Sequence, residues 1–207
     1  MESKVTLPQL DYGYNELEPV LPENLLRLHH TKHHQNYIDT YNKLLSEFEA
    51  AKQANDINKM VSLTPGLKFN LGSHINHSIY WKNLCPIKNG GGKIPENSKL
   101  VDKIKSQWGS VENFITDFNA QIMKIQGSGW GNLAYNKKSK ILEYVETKDQ
   151  DPVALHADRV AILCMDAWEH AWYLKYLNVK KDYYANIWKI VNWSDLEKRY
   201  EVYGKRK

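Results

Sequence analysis

The sequence is poor in cysteine: Cys85 and Cys164 are its two thiols in 207 residues. A disulfide scaffold needs several closely spaced cysteines, and a chain of this length buries enough core without staples, so both read as reduced core groups. Long apolar runs are also missing. No stretch approaches the ~20 residues of a membrane-spanning helix, which excludes a helical membrane protein. Charge of one sign is concentrated only at Lys205-Arg206-Lys207, which reads as a solvated tail, and the net charge is a mild +4. Without a basic stripe or a recognisable reading element, nucleic acid is excluded as a partner. Met1-Glu2-Ser3-Lys4-Val5 has neither a secretory apolar core nor an Arg/Ser-rich leader, so with Met1 native the expectation is a cytoplasmic protein. No repeat or low-complexity tract occurs. The single glycine run, Gly90-Gly91-Gly92, precedes Lys93-Ile94. A phosphate loop needs Ser or Thr after the lysine, so a flexible connector is expected.

What is present is ordinary in bulk, with 42% hydrophobic and 25% charged residues, but rich in Tyr and Trp. Pro8, Gly13, Pro19 and Pro22 mark an extended arm that ends at a helix start. Ile38, Tyr41, Leu45 and Phe48 recur at helical spacing within a helix expected from Glu23 to about Lys52. A second helix, from about Phe69 to Leu84, completes an antiparallel hairpin. The second half alternates: helices near Leu100–Trp108 and from Val111, capped by Ser110; strands over Trp130–Tyr135, Ile141–Thr147 and Val160–Met165; helices from about His170 and Tyr183; and a last helix opening on a capping box, Ser194-Asp195-Leu196-Glu197. The fold class is therefore α+β: an N-terminal helical-hairpin domain over 1–92 and a C-terminal domain over 93–207 with a three-stranded antiparallel sheet flanked by helices.

Six of the eight histidines fall in two segments, His29-His30-Thr31-Lys32-His33-His34 and His74-Ile75-Asn76-His77. His29, His33 and Tyr37 step by four and share a helix face; His74 and His77 are one turn apart, with Trp81 following. Facing helices can bring one imidazole each to a metal. A third segment, Asp166-Ala167-Trp168-Glu169-His170, follows a strand and offers a carboxylate and an imidazole. Taken singly, the segments also fit packing histidines and a helix start capped by Asp166 with Glu169. Three imidazoles, one carboxylate and no thiolate suit Fe, Mn or Zn.

These segments resemble the manganese/iron superoxide dismutase family. So do Leu7-Pro8-Gln9-Leu10-Asp11-Tyr12, Leu17-Glu18-Pro19, Gly127-Ser128-Gly129-Trp130-Gly131 and Asp149-Gln150-Asp151-Pro152. The resemblance implies an oxidoreductase that disproportionates superoxide, its substrate, to dioxygen and hydrogen peroxide by one-electron cycling of one metal ion per subunit. It implies metal ligands His29, His77, Asp166 and His170. Gln150 is implied to hydrogen-bond the metal's solvent, with Tyr37 beyond it, His33 and Tyr37 to form the gateway, and Trp81, Trp130 and Trp168 to line the pocket. Glu169 and Tyr173 are implied to reach across a twofold interface to the partner's histidines, which makes a homodimer the minimum and a homotetramer the expected assembly. His74 and Gln150 look like the manganese branch, with iron as an alternative occupant. Ser73 departs from the glycine usual at its position, and Asn132 from a second Trp; the stretch Leu155–Val160 also departs. The competing readings are a non-haem iron oxygenase or zinc hydrolase on a similar site, and a non-catalytic helical binding module.

Overall fold

The computed structural model describes residues 4–204, so the basic tail and the first three residues lie outside the described residues. An arm over 4–22 enters α1 (Glu23–Leu28), which continues through a π-turn (His29–His34) into α2 (Gln35–Gln53). On α2, Ile38 and Tyr41 are buried, while Leu45 and Phe48 are half-buried. A short turn leads to α3 (Ile57–Lys82), which packs antiparallel on α2. This helix starts about three turns before the expected Phe69. Asp56 caps it, its carboxylate accepting from Lys59 N at 2.9 Å. Pro65 sits inside it on an exposed position. A proline removes one helical hydrogen bond, yet packing against α2 holds the helix through it, since tertiary contact outweighs local propensity.

The glycine-rich segment differs from the expected flexible connector. Cys85 N donates to Ile190 O at 2.8 Å and Gly92 N to Val191 O at 2.9 Å. A Cβ on Gly91 would lie 2.1 Å from Cys85 O, so the glycine permits a close backbone approach that a side chain forbids.

Helices α4 (Lys99–Trp108) and α5 (Val111–Ile122) are capped by Ser98 and Ser110. The sheet holds β1 (Gly129–Asn136), β2 (Ile141–Lys148) and β3 (Arg159–Asp166) in the order β2-β1-β3, antiparallel throughout, with a bulge at Leu133/Ala134. After β3 the expected helix from His170 is only a single 3-10 turn (Glu169–Ala171) and a short α6 (Tyr173–Tyr176); α7 (Lys180–Ile187) and α8 (Trp193–Gly204) follow. The expected capping box is not used. Asn192 Oδ1 accepts from Asp195 N at 3.2 Å, and Glu197 reaches across to α4, accepting from Lys99 N at 3.1 Å and Leu100 N at 3.0 Å. The core is continuous from the hairpin to the sheet: Leu17, Tyr80, Trp81, Phe114, Trp130 and Ile162 belong to one buried cluster. Among the described residues no helix is long and apolar enough to cross a membrane.

Candidate metal centre

Four elements converge where the hairpin meets the sheet. His29 opens the π-turn, His77 lies late on α3, Asp166 ends β3 and His170 sits in the turn after it. One ligand atom from each lies within 4.8 Å of all the others. His29 Nε2 and His170 Nε2 are each 3.2 Å from Asp166 Oδ2, His77 Nε2 is 3.7 Å from it, and the Nε2 atoms of His29 and His77 are 3.0 Å apart. His29, His77 and Asp166 are fully buried.

Hydrogen bonding behind the cluster turns the lone pairs of His77 and Asp166 inward. His77 Nδ1 lies 2.8 Å from Ser73 O; a carbonyl only accepts, so Nδ1 carries the proton and Nε2 is bare. Asp166 Oδ1 accepts from Trp168 N at 2.9 Å, which leaves Oδ2 for the cluster. Burial pushes His29 down to about 4 despite its bond to Asp166, and burial with the neighbouring imidazoles pushes His77 well below its ordinary value. Burial alone would raise Asp166, but the adjacent His170 and the hydrogen bonds from His170 and His29 outweigh it and hold the carboxyl below the usual range. A cation replacing the protons shared between Asp166 and these imidazoles would meet three nitrogens and one carboxylate oxygen, and this nitrogen-rich, sulfur-free chemistry fits manganese or iron.

Three tryptophans stand around this set. Trp81 meets His29 edge-on at 4.8 Å, Trp130 meets His77 edge-on at 5.0 Å, and Trp168 stacks on His170 at 5.4 Å. Gln150 is fully buried; its Oε1 accepts from Trp130 Nε1 at 3.0 Å and its Nε2 donates to Tyr37 Oη at 3.4 Å. Burial and the Asp166 charge push Tyr37 up to about 12, the bond to Gln150 opposing them. His33 stacks on His170 at 4.4 Å but makes no hydrogen bond to Tyr37 among the described residues. Glu169 and Tyr173 do not enter the cluster: both are exposed, Tyr173 to 45%. His74 also stays outside it, with Nδ1 3.0 Å from His34 Nε2.

Sequence reading missed three contributors. Phe69 packs against both Tyr37 and Trp168, at 6.0 and 6.4 Å. Asn76 Nδ2 donates to Gln150 O at 3.2 Å and to Asp151 O at 3.4 Å. At Gly72 a Cβ would lie 2.3 Å from Gln150 O. The dense polar spacing of His74-Ile75-Asn76-His77 was a signal for Asn76; nothing in the spacing marks Phe69.

Comparison with known proteins agrees with this arrangement. Residues 4–85 match the family model described as iron/manganese superoxide dismutases, alpha-hairpin domain, and residues 95–199 match its C-terminal domain. The chain is 50% identical over 192 residues to "Superoxide dismutase [Fe]" of Tetrahymena pyriformis, covering 92% of this chain and 97% of that protein. It is 46% identical over 201 residues to "Superoxide dismutase [Mn], mitochondrial" of Aspergillus niger, covering 97% and 94%. Against "Superoxide dismutase [Mn] 3.1, mitochondrial" of Zea mays it is 46% identical over 198 residues, covering 95% and 84%. These comparisons overturn the expected cytoplasmic location. The manganese relatives are mitochondrial by name, and the family match begins at residue 4.

Proposed function

Because this chain belongs to the iron/manganese superoxide dismutase family, we propose that its superoxide dismutase activity runs on a single manganese ion per subunit, held by His29, His77, Asp166 and His170. The observation that carries this reading is the convergence of those four ligand atoms within 4.8 Å. When bound, the metal supplies one-electron chemistry: one superoxide gives up an electron and leaves as dioxygen, and a second takes up that electron with two protons and leaves as hydrogen peroxide.

The protein's own residues do the rest. Asp166 and the neutral imidazoles supply one negative charge, leaving the centre cationic and attractive to a small anion. Trp81, Trp130 and Trp168 keep the pocket narrow and exclude bulk water. Gln150 presents a fixed amide donor between Trp130 and Tyr37, which tunes the potential of the centre. Tyr37 keeps its phenolic proton at neutral pH and, with His33 at the mouth, forms the proton path. We assign 1–92 and 93–207 as two domains that contribute two ligands each. Exposed Glu169 and Tyr173 reach the partner's His170 and His33 across a twofold axis, and the exposed tip of the hairpin joins two dimers into a tetramer.

Iron is the second reading, favoured by the 50% identical iron-named relative. Stripping the protein and reloading it separately with manganese and with iron distinguishes the two. Activity per bound manganese well above that per bound iron is expected; equal activities mean that both metals serve, and activity with iron alone removes manganese from the proposal.

A further inference from the structure

On a straight α-helix, residues five apart point ~140° away from each other. A π-turn bonds i to i+5 and so narrows that angle. His34 closes the π-turn that His29 opens, and it lies four residues before Ile38 and seven before Tyr41, on the buried face that those two continue. It is fully buried, and its ring lies face to face on His77, with centroids 5.1 Å apart and planes at 22°.

Its hydrogen bonds have only one possible sense. Trp81 Nε1 lies 3.0 Å from His34 Nδ1, and an indole N–H only donates, so Nδ1 accepts. The neutral ring then carries its proton on Nε2, 3.0 Å from His74 Nδ1, which must accept in turn. Trp81 is in edge contact with His29 at 4.8 Å. One imidazole thus touches a wall of the pocket and one ligand, and through that wall a second ligand.

We propose that His34 is a positioning residue of the metal centre: by accepting from Trp81 it fixes the indole against His29, and its ring face braces His77, with His74 anchoring it from the half-exposed side of the hairpin. This rests on the reading of His29 and His77 as ligands. An apolar residue of similar size would fill the space but leave the Trp81 N–H buried without an acceptor.

The test compares His34→Leu with His34→Asn, whose Oδ1 can stand where Nδ1 does. Two quantities are read in the full chain: hydrogen exchange of the Trp81 indole N–H by NMR in the metal-free protein, assigned with Trp81→Phe, and activity per bound manganese. His34→Leu is expected to speed the exchange and to lower activity per manganese, each ~10-fold, and His34→Asn to recover most of both. His74→Leu, which removes only the far acceptor, is expected to speed the indole exchange to a smaller extent, and it decides the matter if His34→Leu does not fold. Unchanged exchange in His34→Leu, equal losses in the Leu and Asn variants, or wild-type exchange in His74→Leu overturns the proposal. A wild-type chain that binds manganese without dismutating superoxide overturns the proposed function instead, and leaves the indole readout standing.

Discussion

Trp130 fixes which way Gln150 faces: its indole Nε1 donates to Gln150 Oε1 over 3.0 Å, so the amide Nε2 is the end turned toward Tyr37, 3.4 Å away. An amide in a buried site has two orientations of nearly equal shape, and a donor-only neighbour selects one. Gln150→Ala therefore removes the oriented donor without touching a proposed ligand. The expected outcome is near-normal metal content with activity down by ~10-fold or more. Stability should fall by about 1–3 kcal/mol, because Trp130 Nε1–H is left buried without an acceptor. Metal analysis, a superoxide assay and a thermal melt check the three parts. Unchanged turnover would remove Gln150 from its role.

The same residue can be disturbed from behind. Gly72 presses its backbone on the loop carrying Gln150, where an added Cβ would lie 2.3 Å from Gln150 O and 3.0 Å from Pro152 Cδ. Neither neighbour is a flexible side-chain end, so Gly72→Ala must shift the loop. Activity per metal is expected to drop several-fold while the helical circular dichroism stays that of the parent, since alanine favours the helix itself. Normal activity in this variant would mean that the loop tolerates the shift.

How much of this was legible in the sequence follows from the range of each interaction. His29, His77, Asp166 and His170 were singled out because their segments are short, polar and matched to a family pattern, the first two strands because turn residues separate them, and the third because it is a short apolar run ending at Asp166. Pro65 hid the first three turns of α3, because local propensity says nothing of the helix packed alongside. Glu197 looked like half of a capping box with Ser194, yet it serves α4, about a hundred residues earlier in the chain. His34 falls at helical spacing with Ile38 and Tyr41, but its bonds to Trp81 and His74 on the facing helix left no mark in that spacing. What was missed is contact between distant segments, which periodicity does not encode.

Glu197 gives a stability test independent of the metal. Its carboxylate accepts from Lys99 N and Leu100 N, two of the donors that a helix start leaves without partners. Glu197→Ala leaves Ser98 as the remaining cap of α4. A loss of about 1–2 kcal/mol is expected, or roughly 2–8 °C in melting temperature for a chain of this size, with activity per metal unchanged at ambient temperature. Calorimetry on the metal-loaded protein reads it, and an unshifted melt would show that water replaces the carboxylate without cost.

Acid should destabilise the metal-free protein in a defined window. His29 is pushed down to about 4 by burial, whereas in an unfolded chain it takes a proton near its ordinary ~6.5. Between those values the unfolded state binds more protons than the folded one. The stability from the neutral ring is therefore full above ~6.5 and is lost as pH falls toward about 4. His77, shifted in the same direction, adds to the slope. Asp166, held below its ordinary value, contributes stability present above that value and lost only at still lower pH. Melting temperature measured from pH 7 to pH 4 should decline, and His29→Gln, which does not titrate, should flatten the decline. An equally steep decline in the variant would place the titrating group elsewhere.

Glu169 precedes His170 and is exposed, its carboxylate without a hydrogen bond among the described residues. Tyr173, one turn on, is also exposed, to 45%. A carboxylate next to a ligand imidazole is well placed to hold an imidazole N–H, and the Nδ1 of His170 has no hydrogen-bond partner within its own chain among the described residues. In the proposed dimer, a twofold axis past this face would give each Glu169 the partner's His170, and one substitution would then remove two identical contacts. Glu169→Ala is expected to shift sedimentation toward the monomer and to weaken metal retention ~10–100-fold, the range found when the partner of a ligating histidine is removed. The two effects must appear together. Weakened retention in an intact dimer would confine Glu169 to an effect within its own chain, and dissociation with metal fully retained would show that the contact serves assembly alone.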